Sequence, residues 1–286
     1  MNDTNILINI SEITIGEIIK RPSSLCKTPY VADISLDSGV KILGHTPSLG
    51  CCGLAEKDSK VIMSKLEKKK NQTCSHRVEL ACISIDHHKL FVGINPKLAE
   101  TIAENSIKKN FIKDLINVKK YHREVAIPTH NSRFDFAGID SNNKPFVMEI
   151  KNVPLADFVD VLKKDRKNYT EEIKNKKWNE KISYFPDGYR KKTTDAVSPR
   201  ALKHVQELEK IAITNNVRAI LCFVIQRTDV SHFQTSNIDK IYKDAVYKAW
   251  QNGVEIKTIQ VEWNQQGECR FVRNNLPISL KEGEFI

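Results

Sequence analysis

Apolar residues in the first third of the chain come in short runs that alternate with polar ones. Residues 30–36 (YVADISL), 60–66 (KVIMSKL), 77–85 (RVELACISI) and 89–94 (KLFVGI) have the composition and spacing of strands. Turn-forming stretches, LDSG and GHTPSLG, stand between such segments. Several short strands within about 80 residues predict a small barrel or sandwich, and a five-stranded OB-type barrel fits. At residue 95 the period changes. In 95–115 (NPKLAETIAENSIKKNFIKDL) the apolar positions Leu98, Ile102, Ile107, Phe111 and Ile112 fall at helical spacing, with Asn95 and Pro96 as the start.

A second set of elements follows. Residues 122–129, 132–139 and 145–153 read as three strands, and 200–213 as a helix with Leu202, Val205, Leu208, Ile211 and Ala212 on one side. Residues 218–226 (RAILCFVIQ) form a continuous apolar run, the mark of a strand covered on both faces. A helix over 238–253 ends at Gly253, and 254–263 is a last strand. Three strands, helix, strand, helix, strand predicts a mixed α/β (α+β) core. The domain division expected is 1–95 for the barrel and 96–286 for the mixed-sheet unit, with 161–199 as an insertion. Between residues 163 and 192 that insertion holds eleven Lys or Arg against five acids, interleaved with Tyr169, Trp178, Tyr184 and Tyr189. Basic and aromatic residues together suit a surface that tracks phosphates and stacks bases; a solvated face with anchoring aromatics has the same composition.

Charge sharpens this picture. Forty-five Lys and Arg against thirty-five Asp and Glu give a net charge of +10, which favours polyanionic partners. The seven cysteines (26, 51, 52, 74, 82, 222, 269) show no CxxC spacing and read as free thiols of a reducing cytosol. The histidines show neither HxH nor HExxH, which leaves a zinc-hydrolase reading without support. No apolar run reaches the ~20 residues of a membrane span, and the acidic start MNDTNILINISEITI is unlike a secretory signal. A cytoplasmic protein without a membrane partner is expected, and a homo-oligomer is left open.

The chemistry lies in two strands. In 145–153 Glu149 and Lys151 share one side while Phe146, Met148 and Ile150 share the other. In 132–139 Phe134 and Phe136 are expected on one side, Arg133 and Asp135 on the opposite one. If the apolar sides meet a common core, Asp135, Glu149 and Lys151 converge. Two close carboxylates repel unless a cation neutralises them, and oxygen ligands favour Mg²⁺ or Mn²⁺. A lysine beside them can orient or deprotonate an attacking water. Asp, about 14 residues, then Glu-x-Lys is the spacing of the PD-(D/E)XK nuclease core. A salt bridge between strand neighbours satisfies the same short pattern. Glu124, just before the Asp135 strand, could add a third carboxylate.

Beyond this pattern, RPSSLCKTPYVADISLDSG, GHTPSLGCCGL, HREV, SRFDF, MEIKNVPL, YFPDG, TDAVSPRALKHVQEL, CFVIQRTDV and NGVEI occur in order from about residue 20 to 260. Together they resemble the sugar fermentation stimulation protein A (SfsA) family. The resemblance implies an OB-like domain followed by a nuclease-fold domain, DNA binding ahead of RNA, and metal ligands at Asp135 and Glu149 with Lys151 beside them. A family motif is split here into FPDG and TDAVSPRALKHV, so either Asp187 or Asp195 holds the position of its aspartate, a further metal ligand. Arg133, Arg200, His204, Gln226 and Arg227 are then expected to grip the nucleic-acid backbone. Arg200 and His204 lie four apart at helical spacing, and Gln226 and Arg227 follow the buried strand. The expected activity is metal-dependent hydrolysis of phosphodiester bonds in DNA or RNA. The rival is a DNA-binding regulator that keeps the fold without cutting.

Overall fold

The alternating segments of the first third become the strands their pattern predicts, joined by others with weaker signals. In the computed structural model, which describes residues 3–49, 51–70, 72–85, 87–127, 132–186, 195–214, 216–281 and 283–286, Ile13–Lys20 pairs antiparallel with Val31–Leu36 and with Lys60–Lys65. Val31–Leu36 pairs with Lys41–His45, and Lys60–Lys65 with His76–Ile85. The ring closes where Lys41–His45 runs parallel to His76–Ile85, at Gly44↔His76 and His45↔Arg77. Closure of a small sheet on itself removes its open edges, as in the OB-type barrel expected. Ile18, Ile34, Val61, Met63 and Val78 fill the interior.

Two glycines are required there. A Cβ on Gly16 would lie 2.7 Å from Ile34 Cγ2 and 2.9 Å from the Ser35 carbonyl oxygen; one on Gly44 would lie 2.4 Å from Ile34 Cδ1. The Gly16 clash includes backbone, which cannot swing aside. Gly16→Ala should therefore destabilise the protein by about 1–3 kcal/mol, the usual cost of overpacking a filled core. Denaturant unfolding of the variant beside the parent checks this.

Contacts divide the chain into two compact units, and neither is one continuous stretch. The first comprises Met1–Ile102, Gln226–Thr228 and Val261–Val272; the second comprises Ala103–Ile225, Asp229–Gln260 and Arg273–Ile286. The first unit therefore recruits a late strand, Glu268–Arg273, which pairs antiparallel with Ile6–Asn9. Its boundary falls inside the continuous helix Pro96–Lys108. Glu104 of that helix is bound by Tyr121 and Arg123 of the second unit (3.1 and 2.8 Å), so the helix is described with that unit. The helix stops well short of residue 115. Asn110 adopts φ 60°, and the Phe111 N–H reaches back to the Ser106 carbonyl, a left-handed cap that satisfies the last carbonyls.

In the second unit, Pro145–Val153 pairs parallel with Arg218–Ile225, and that strand pairs parallel with Glu255–Trp263. Arg133–Ile139 and Lys120–Ala126 extend the sheet antiparallel on the other side. All of Ala219–Ile225 is buried, as a strand covered on both faces must be. Helices Pro199–Ile213 and Lys240–Gln251 supply Val205, Leu208, Tyr242 and Val246 to one core with Val147, Val153, Leu221 and Phe223. A second sheet, unforeseen in the sequence, contains Ala156–Asp157, Lys181–Phe185, Val230–Thr235, Ile278–Lys281 and Glu284–Phe285. Within the 161–199 block, Lys181–Phe185 is a paired strand and Tyr184 is fully buried. All seven cysteines are free thiols. Among the described residues, no helix is long and apolar enough to cross a membrane.

Candidate functional site

The strand Pro145–Val153 carries Glu149 and Lys151 on one side, as its alternation requires, but most of that side is covered by protein. It faces the core under helix Pro199–Ile213, whose His204 meets Glu149. Glu149 is 3% exposed and Lys151 9%. The Lys151 Nζ donates to Glu149 Oε1 at 2.6 Å, and the same oxygen pairs with His204 Nδ1. Burial pushes the Glu149 carboxyl up, but the His204 hydrogen bond and the Lys151 charge outweigh it and hold the group below its ordinary value. Glu149 is therefore a carboxylate at neutral pH. Its other oxygen, Oε2, is buried without a hydrogen-bond partner among the described residues.

Asp135 sits where the neighbouring strand departs from the ladder. Register runs from Pro145↔Ile139 to Met148↔Phe136, and beyond it the Asp135 Oδ2 accepts the Ile150 N–H at 2.6 Å. The expected pairing of Phe134 and Phe136 on one side is overturned. Phe134 joins the core beneath the helix, 6.4 Å from the His204 ring, whereas Phe136 packs edge-on to Tyr121 and under Arg123. A side chain accepting a backbone bond, beside Glu124 at φ 53°, interrupts the simple alternation.

The carboxylates gathered with Asp135 are Glu100 and Glu124, with one ligand oxygen from each lying within 4.8 Å of the others. Glu124 thus joins the site. Glu100 was not anticipated; its signal is the i,i+4 pair Glu100 and Glu104 on one face of the helix that precedes the strands. Three carboxylates this close repel one another, and a hard divalent cation relieves the repulsion. The donor set fits such an ion, being oxygens only.

The other expected residues separate. Arg133 is exposed, with Nη1 3.7 Å from Glu124 Oε2. Arg200 is exposed and His204 is 6% exposed, so the two do not present a common face to a phosphate; His204 is turned inward onto Glu149. Gln226 and Arg227 are buried and belong to the first unit, where Gln226 Oε1 accepts the Trp263 Nε1–H at 2.7 Å. As placed, Gln226 and Arg227 belong to packing rather than to an open phosphate-binding surface. Asp195 is exposed and stands outside the Asp135 group, and Asp187 lies outside the described residues.

Comparison with known proteins bears on this geometry. A family described as "Sugar fermentation stimulation protein RE domain" matches residues 97–161 and 156–267. A sugar fermentation stimulation protein homolog of Shewanella frigidimarina is 26% identical over 257 residues, covering 90% of this chain and 93% of that protein. The homolog of Alteromonas mediterranea is 29% identical over 247 residues, covering 84% and 87%. Among solved structures, Pyrococcus furiosus SfsA in complex with Ca²⁺ superposes with a TM-score of 0.71 over 96% of this chain and 99% of that one, at 17% identity. At that identity the match speaks for the fold.

Proposed function

The chain belongs to the sugar fermentation stimulation protein family, and on that premise we propose that it is a divalent-metal-dependent nuclease hydrolysing phosphodiester bonds of DNA or RNA. The observation that carries the reading is the Glu100, Glu124 and Asp135 cluster at the aspartate of the Asp…Glu-x-Lys pattern. Ca²⁺ bound by the Pyrococcus furiosus protein is a hard cation with oxygen ligands, and Mg²⁺ or Mn²⁺ makes the same demands with a tighter shell.

In this reading Glu100, Glu124 and Asp135 hold the cation, and Glu149 Oε2 is the acceptor left to join them. Bound there, the ion would stabilise charge on the phosphate and acidify a coordinated water. Lys151 spends one N–H on Glu149 Oε1, and an ammonium has three donors, so the same group can orient the attacking water. Exposed Arg133 and Arg200 supply charge-assisted hydrogen bonds to the backbone phosphates.

The test is incubation of labelled single- and double-stranded DNA and RNA with the protein in Mg²⁺, Mn²⁺ or EDTA. Cleavage with either metal and none in EDTA is expected. Salt-sensitive binding that yields no product with any metal would instead make the protein a nucleic-acid binder on a nuclease scaffold.

A further inference from the structure

The two oxygens of Glu149 are not equivalent. Oε1 takes the Lys151 ammonium at 2.6 Å and His204 Nδ1, while Oε2, equally enclosed, takes no partner among the described residues. Buried polar atoms are almost always satisfied, so an oxygen kept bare in this way invites a ligand the side chains do not supply. Because a carboxylate only accepts, His204 Nδ1 must carry the proton in this bond.

The imidazole is held firmly. His204 lies early in the helix Pro199–Ile213, which Ser198 caps through the Ala201 N–H and Pro199 opens. One residue before the cap, the Val197 N–H donates to Asp239 Oδ2 at 2.7 Å, which ties the helix start to the head of the next helix. The Phe134 ring stands 6.4 Å from the imidazole. None of this anchoring is needed by a histidine that grips a flexible backbone from the surface.

We infer that His204 is a positioning residue for the metal-binding carboxylate: with Lys151 it fixes Oε1 and thereby leaves Oε2 as the oxygen Glu149 offers the cation. This rests on the metal-dependent reading above. His204 itself touches neither metal nor substrate. Partners that orient a ligating carboxylate in this way commonly govern affinity by about 10–100-fold.

The test is Mn²⁺ uptake by the full chain, followed through the loss of the free-ion paramagnetic resonance signal. His204→Ala should weaken Mn²⁺ binding about 10–100-fold. His204→Asn, whose amide nitrogen falls near the Nδ1 position, should stay within a few-fold of the parent. In a Glu149→Ala background, removing His204 should change nothing further. A merely structural histidine would weaken binding equally in both backgrounds, and that result overturns the inference, as does a His204→Ala affinity within twofold of the parent. Should His204→Ala fail to fold, the comparison passes to His204→Asn against His204→Gln, whose nitrogen falls near Nε2; equal affinities for the two overturn the inference. A parent that neither takes up Mn²⁺ nor cleaves any substrate brings down the nuclease reading itself. A parent that does both, with His204 variants indifferent, brings down this inference alone.

Discussion

Asp135→Asn should fold, melt at a higher temperature than the parent in EDTA, and cleave nucleic acid at least about 100-fold more slowly with Mg²⁺ or Mn²⁺. The amide keeps an oxygen to accept the Ile150 N–H, so the bond that replaces the ladder beyond Phe136 survives. What disappears is one negative charge from a group whose ligand oxygens lie within 4.8 Å of one another. Without a cation that charge is repulsive, and removing it relieves the metal-free protein. With a cation the same charge binds it. Opposite signs for stability and activity mark a site built for an absent partner rather than for the fold. Melting curves with and without Mn²⁺, beside cleavage rates, decide the matter. Undiminished cleavage by Asp135→Asn would remove the aspartate from the site.

The second large effect is one of stability. Arg218→Met should cost about 3–5 kcal/mol at neutral pH, or a fall in Tm of roughly 10 °C. Arg218 opens the central buried strand and donates through Nε and Nη2 to both oxygens of Glu255 (2.7 and 2.9 Å), through Nη1 to Asp140 (2.9 Å) and through Nη2 to the Asp114 carbonyl (2.8 Å). Methionine keeps much of the apolar stem and abandons both carboxylates. Burial pushes the Asp140 carboxyl up, but its hydrogen bonds, the one from Arg218 foremost, hold it below its ordinary value. Glu255 is held low in the same balance by Arg218 and Lys257. Groups with depressed values stabilise the fold above their unfolded pKa, about 4 here, and lose that contribution as pH falls through the folded one. The gap between parent and Arg218→Met should therefore narrow below about pH 4. Denaturant unfolding at pH 7 and pH 3.5 measures it; a gap independent of pH would refute the electrostatic origin.

Much of the second unit was legible because its periods are clean. The runs at 145–153 and 218–226 and the helix at 200–213 needed only apolar spacing, and the structure places them at Pro145–Val153, Arg218–Ile225 and Pro199–Ile213. The second sheet was not legible. One of its strands is two residues long, one hides in a lysine-rich block, and Val230–Thr235 shows no clean alternation. These strands are defined by what they pair with, not by their own pattern. At the site, alternation placed Glu149 and Lys151 together but could not tell which face a helix would cover. Gln226 was expected to contact a nucleic-acid backbone; its partner Trp263 lies 37 residues away, beyond any local signal. Glu100 was missed for the same reason, since its companions come from strands rather than from its own helix.

The first unit borrows its strand Glu268–Arg273 from near the end of the chain, and Ile6–Asn9 has that strand as its partner. During synthesis the two are separated by about 260 residues, which a ribosome adds in roughly 13–50 s at ordinary rates. For that interval the nascent N-terminal strand is an unclaimed edge, open to any passing chain. The second unit is completed later still, since its own last residues are Arg273–Ile286. A chaperone or a slow stretch of translation would act on this protein through its earliest residues, long before the carboxylates of the site have anything to bind.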